Sequence, residues 1–147
     1  MSLKRFARRM KKRANNVPRE VNKVKRQVAL AVDQAVVLGT PVDTGTARSN
    51  WIVTLGAATD QTQGAFSPLS GGDMSERGNA EAAIAQGKAV IAQAKPEQDI
   101  HITNNLDYIV DLNEGSSAQA PAAFVEEAVD AGVKVVKQTR IDTGKRR

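Results

Sequence analysis

The chain has 147 residues, a net charge of +5, no cysteine and only 3% aromatic residues. That length suits one ordinary domain with a terminal arm. The missing thiols exclude a disulfide framework, a zinc–thiolate site and a cysteine nucleophile, and no run approaches the ~20 apolar residues of a membrane span.

With so few aromatics the apolar share leans on Ala and Val. The core is therefore expected to be thin, with part of its stability supplied by neighbouring subunits. Between Met1 and Leu38 the basic residues are Lys4, Arg5, Arg8, Arg9, Lys11, Lys12, Arg13, Arg19, Lys23, Lys25 and Arg26, opposed only by Glu20 and Asp33. A one-signed excess of this kind is not explained by i,i+4 pairing on a helix and points to an acidic partner or nucleic acid. No aromatics are interleaved with it, so contact with DNA would be to phosphates and non-specific. The basic N-terminus lacks the apolar segment of a signal peptide, and the protein is expected to be soluble and made in a reducing cytoplasm.

Within this segment Ala7, Met10, Ala14, Val17, Val21, Val24, Val28, Ala31, Ala35 and Leu38 recur at steps of three and four, which predicts a narrow helical stripe. Pro18 interrupts it, and an interior proline costs about 3 kcal/mol. The expected arrangement is a basic arm or short helix over 1–15, then a firm helix from about Pro18 to Leu38. Gly39 and Pro41 would stop it.

Trp51-Ile52-Val53-Thr54-Leu55 predicts a strand. Gly56 to Ser75 holds five Gly or Pro breakers and predicts a long loop, or a hairpin with a mobile tip, without fixed contacts in the free subunit. Asn79 to Lys95 predicts a second helix bounded by Pro96. Asp99 to Thr103 alternates as a half-buried strand, Asn104-Asn105 signals a turn, and Leu106 to Leu112 favours a short helix. Pro121 suits the first turn of a helix over Ala122 to Thr139, with Val125, Val129, Val133 and Val136 facing inward. The fold class is α+β: a long N-terminal helix, a small mostly antiparallel sheet with a long loop or hairpin, and two further helices. Residues 16–140 form one domain, followed by a basic tail over 141–147.

Asp-Thr-Gly occurs at Asp43-Thr44-Gly45 and at Asp142-Thr143-Gly144. An aspartic protease needs two such turns, because two facing carboxylates share a proton. Those enzymes are almost wholly β, whereas here the first copy follows a helix and the second has no strand after it. A structural role for Asp43 is local: its carboxylate can accept backbone N–H bonds in a turn while Gly45 takes positive φ. His101, the only histidine, has no cysteine or acidic cluster at ligand spacing. Ser49, Ser75 and Ser116 have no paired base in sight, and Gly71-Gly72 lacks the Lys-Ser/Thr of a phosphate loop. No catalytic residue, cofactor site or metal site is predicted, and the chain is expected not to be an enzyme.

The run Pro41-Val42-Asp43-Thr44-Gly45-Thr46-Ala47-Arg48-Ser49-Asn50-Trp51 resembles the PVDTG-x-LR-x-S/N-W signature of tailed-phage head–tail joining and tail-completion (neck) proteins, the HK97 tail-component or minor tail protein Z-like family. Ala47 stands where Leu is common. A second run, from Ile102 through Asn104, Asn105, Tyr108, Glu114 and Gly115 to Pro121, is similar to that family's NNLPYA…LE-G-S-QAP segment, with Asp107 in place of its Pro and Asn113 just before the Glu. The resemblance covers most of residues 18–139. It implies a non-enzymatic virion protein, made in the bacterial host and placed at the neck or tail top. Copies would form a hexameric or dodecameric ring between portal or adaptor-side and tail-terminator proteins, with DNA crossing the lumen. The residues expected to meet a partner or the DNA are Arg8, Arg9, Lys11, Lys12 and Arg13. The alternative is a small basic accessory protein that binds DNA without sequence preference.

Overall fold

The computed structural model describes residues 2–42, 45–66, 73–118 and 122–140, with backbone alone at 73–77. These residues form five helices and two strands in the order α1 (Leu3–Gly39), α2 (Thr46–Ser49), β1 (Ile52–Leu55), α3 (Asp73–Ile91), β2 (Ile100–Thr103), α4 (Ile109–Asn113) and α5 (Phe124–Gln138). The class is α+β. β1 and β2 pair antiparallel, with Ile52 opposite Thr103 and Leu55 opposite Ile100. The Gly56 amide donates to the Asp99 carbonyl at 2.8 Å and closes the end of the ladder.

α1 runs unbroken through Pro18, so the expected boundary between arm and domain at residue 15 falls inside a helix. Two facts make the proline tolerable. Lys, Arg, Ala and Met on its N-terminal side are strong helix formers. Ala14, whose carbonyl loses its i+4 donor, is exposed, so water can take the freed acceptor. Ser2 caps the helix, its hydroxyl accepting from the Arg5 amide at 3.3 Å.

The C-terminal half of α1 is the spine of the domain. Val36, Val37, Trp51, Ala80, Ala83, Phe124 and Ala128 form one buried cluster. Ala29, Val53 and Ile91 form a second beside the sheet. Small residues dominate both, as the composition predicts.

α5 packs antiparallel on α1, and of the four valines the sequence pattern favoured only Val125 packs against the core. Phe124, Ala128 and Gly132 are buried, while Val129, Val133 and Val136 are 52%, 41% and 53% exposed. The reason is close approach. A Cβ on Gly132 would lie 2.6 Å from Val32 Cγ2, and one on Gly39 would lie 3.1 Å from Phe124 Cβ. Backbones this near need small residues at the crossing, so the face carrying Ala128 and Gly132 goes inward and the valine stripe is turned out. Gly132→Leu should therefore wedge the two helices apart and lower stability by about 2–3 kcal/mol, read as a drop in the urea midpoint. An unchanged midpoint would contradict this packing.

α1 also holds the segment that follows α3. The Asn22 side-chain amide and the Arg26 guanidinium both donate to the Ala94 carbonyl, the Asn22 bond at 2.9 Å. The Lys25 ammonium donates to the carbonyls of Lys95 at 2.9 Å and Pro96 at 3.2 Å. Two cations of the basic segment thus tie down the backbone of the segment that follows α3.

Candidate assembly surface

The residues of the two sequence signatures meet in one hydrogen-bonded framework. Arg48, on α2, turns back to the end of α1: Nε donates to the Thr40 carbonyl at 2.9 Å and Nη2 to the Leu38 carbonyl at 3.2 Å. This places a cation on the orphan carbonyls of a helix C-terminus. Thr40, fully buried, donates its hydroxyl to the Val36 carbonyl at 2.6 Å and accepts from Trp51 Nε1 at 2.8 Å. Gly45 precedes α2 with φ of 79°, and a Cβ there would clash with the Asn79 side-chain amide. Ser49 donates to Asn79 Oδ1 at 3.1 Å. Pro41 is buried beside this turn. Asp43 and Thr44, whose turn role was expected, lie outside the described residues, as do Pro121, Asp142-Thr143-Gly144 and the basic tail.

The second signature joins the first from the other side. Asn104 donates to the Ala47 carbonyl at 2.9 Å. Asn105 donates to the carbonyls of Thr59 and Gln61 at 2.9 and 3.0 Å. Asn50 exchanges bonds with the backbone of Gln63, at 2.6 and 2.8 Å, and the Phe66 amide donates to Ser49 Oγ at 3.2 Å. The segment from Gly56 to Phe66, expected to lack fixed contacts, is therefore tethered by the buried Asn50 and the exposed Asn105. Composition shows the glycines of such a loop but not the distant side chains that tie it down. α3 also begins earlier than expected, at Asp73. Asn113, a departure from the family pattern, accepts from the Val125 amide at 2.9 Å and donates to Glu126 Oε2 at 2.9 Å. The donated bond holds the Glu126 carboxyl below its ordinary range. Gly115, with φ of 96°, makes the turn that brings α4 toward α5. The signature residues are thus largely spent on architecture.

His101 lies half-buried in β2 opposite Thr54, and Ser116 is exposed. Among the described residues no group of three or more His, Cys, Asp or Glu could hold a metal ion, and no helix is long and apolar enough to cross a membrane.

Two outward surfaces remain. One is the N-terminal half of α1. Counting from the contact of Gly132 with Val28 and Val32, α5 ends about 9 Å further along α1, near Val24. Residues 2–15 are all exposed. Leu3, Phe6, Met10, Val17 and Val21, 39–85% exposed, recur along one side of this projection. At 100° per residue, Lys4 and Lys11 flank the stripe on one edge and Arg9 and Arg13 on the other, while Arg8 and Lys12 lie on the far side. The five cations expected to act together are thereby divided between two faces.

The other surface is built from α4 and α5. Val129, Val133 and Val136 line it; Glu126 and Asp130 stand along its outer edge beside Val129, and Lys134 and Lys137 continue that edge beside Val133 and Val136. The bond from Asn113 to Glu126 sets α4 at its end. There Tyr108 and Val110 are 43% and 61% exposed, and Tyr108, Asp111 and Glu114 line an open cleft of about 480 Å³. From Asn104 through Val133 the chain has six acidic residues, Asp107, Asp111, Glu114, Glu126, Glu127 and Asp130, and no Lys or Arg. Neither acidity nor exposure of this face was anticipated; the run free of Lys and Arg was the available signal.

Comparison of the chain with protein-family models, curated proteins and solved structures found no match in any of the three.

Proposed function

We propose that the chain is a structural subunit that assembles with copies of itself into a ring at the head–tail junction or tail top of a tailed bacteriophage, with DNA passing through the lumen. The observation that carries the reading is the surplus of apolar surface. A projecting helix with Leu3, Phe6 and Met10 exposed and a turned-out stripe of Val129, Val133 and Val136 is more than a free monomer ordinarily shows to water. Repeated subunits in a head-to-tail contact close into a ring by rotation, and a modest patch is used many times over. The resemblance of the two signature segments supplies the place. A hexamer or dodecamer between portal or adaptor-side and tail-terminator proteins fits both.

The far-side cations of α1 favour a second reading, in which a small basic accessory protein binds DNA phosphates without sequence preference. Particles made without this chain separate the two. The ring reading expects DNA-filled heads with no tails attached and free tails beside them. Complete, tailed particles would contradict it.

A further inference from the structure

We propose that the projecting N-terminal half of α1 docks along the α4–α5 face of a neighbouring copy of the same chain. The inference rests on the homo-oligomeric reading above and names the contact that would build the oligomer.

Each surface lacks within its own chain what the other offers. From Ser2 to Arg19 the sequence carries eight basic residues and no acidic one, whereas Asn104 through Val133 carries six acidic residues and no basic one. Both surfaces expose an apolar line at helical spacing: Leu3, Phe6 and Met10 on one, Val129, Val133 and Val136 on the other. The charges flank these lines rather than interrupt them. Lys4, Lys11 and Arg13 border the α1 stripe. On the other surface Glu126 and Asp130 border Val129, with Asp111 at the end nearest Tyr108, while Lys134 and Lys137 take over the same edge beside Val133 and Val136, so the acidic rim lies at the α4 end of the face. Apolar contact at the centre with opposite charges at the rim is the usual anatomy of a specific interface.

The same chain cannot satisfy itself. α5 packs antiparallel on the C-terminal half of α1 and ends near Val24, so a straight α1 carries its own N-terminal half away from its own valine stripe. The contact joins two different surfaces of identical subunits, so it propagates around a ring. It also accounts for a helix continued through Pro18: a rigid rod delivers its stripe at a fixed distance and angle, which a loose arm would not.

The test uses full-length chains and sedimentation of the purified protein without nucleic acid. Reversing the donor edge (Lys4→Glu, Lys11→Glu and Arg13→Glu together) or the acceptor edge (Asp111→Lys, Glu126→Lys and Asp130→Lys together) should weaken self-association at least about tenfold. A chain carrying both reversals should recover it, because the charges again oppose one another. Arg8→Glu with Lys12→Glu, on the far side of the stripe, should have little effect. All substituted positions are exposed, and circular dichroism checks that each variant is folded; recovery in the combined chain also shows that neither reversal unfolds the domain. Zero-length carbodiimide cross-linking of wild type should join Lys4 or Lys11 to Glu126 or Asp130 between copies. An oligomeric wild type whose mass neither reversal changes, and which gives no such cross-link, overturns this contact and leaves the ring reading standing. A wild type that stays a single chain at high concentration overturns both.

Discussion

Trp51→Ala should leave the protein at the edge of unfolding. Trp51 is 8% exposed and sits in the main cluster with Val36, Val37 and Phe124. Truncating a buried Trp or Phe costs about 3–5 kcal/mol, against a total of roughly 5–15 kcal/mol for a domain. The ring does more than fill space: its N–H donates to Thr40 Oγ1 at 2.8 Å, and Thr40 closes the end of α1. Trp51→Phe keeps most of the volume and loses that bond, so it should cost nearer 1–2 kcal/mol. Urea unfolding of both variants measures the difference. Equal losses for Phe and Ala would mean that the hydrogen bond, not the packing, holds this junction.

The second large effect concerns Asp33. Its carboxyl is fully buried, and neither oxygen has a hydrogen-bond partner among the described residues. It packs against the backbone of Gly87, where an added Cβ would clash with Oδ2 and lie 3.0 Å from Val53 Cγ2. Burial pushes its pKa from 3.8 up to about 7. Below about pH 4 the group is neutral in both folded and unfolded chains and exerts no pH-dependent penalty. As pH rises from 3.8 toward 7 the unfolded chain ionises while the folded one keeps its proton, so stability falls; above about 7 both are ionised and the loss is constant. Moving a carboxyl between those values corresponds to roughly 4 kcal/mol. Asp33→Asn should remove that slope, so the difference in stability between wild type and variant should change steadily between pH 4 and 7 and level off beyond. A constant difference across the range would contradict this account of the site.

What the sequence allowed follows from what kind of information each feature needs. The Trp51 strand, the Ile100–Thr103 strand and the short α4 were legible because period and breakers are local. The stop of α1 at Gly39 was legible for the same reason. The inward face of α5 was not. Valine is more hydrophobic than Ala or Gly, so pattern alone points Val129 and Val133 inward. The close approach at Gly132 depends on α1, many residues away, and reverses that choice. Asp33 was readable in principle. It lies four residues from Ala29 and four from Val37, both buried, and so on the buried side of α1; read only as a charge opposing the basic run, its burial went unseen. Pro18 misled because its penalty is a tendency that exposed flanks can absorb. Most of the turn and loop framework was beyond reach, since Arg48, Asn104 and Asn105 act on backbone carbonyls that only the folded chain brings near.

The basic segment shows the same limit in its functional reading. Its charge was plain, but its division was not. Lys25 and Arg26 hold the segment after α3, Lys11 and Arg13 border an apolar stripe, and Arg8 and Lys12 face away from it. One run of similar residues serves the fold on one side and faces outward on the others. The unpaired surfaces that remain are what lead to self-assembly as the central claim.

Electron microscopy of the purified full-length chain, without DNA or any other phage protein, tests that claim most directly. The account predicts class averages of closed rings with rotational symmetry and an open lumen, in which α1 of each subunit reaches onto the next. Fields of single, separate subunits at concentrations well above those of assembly would contradict it.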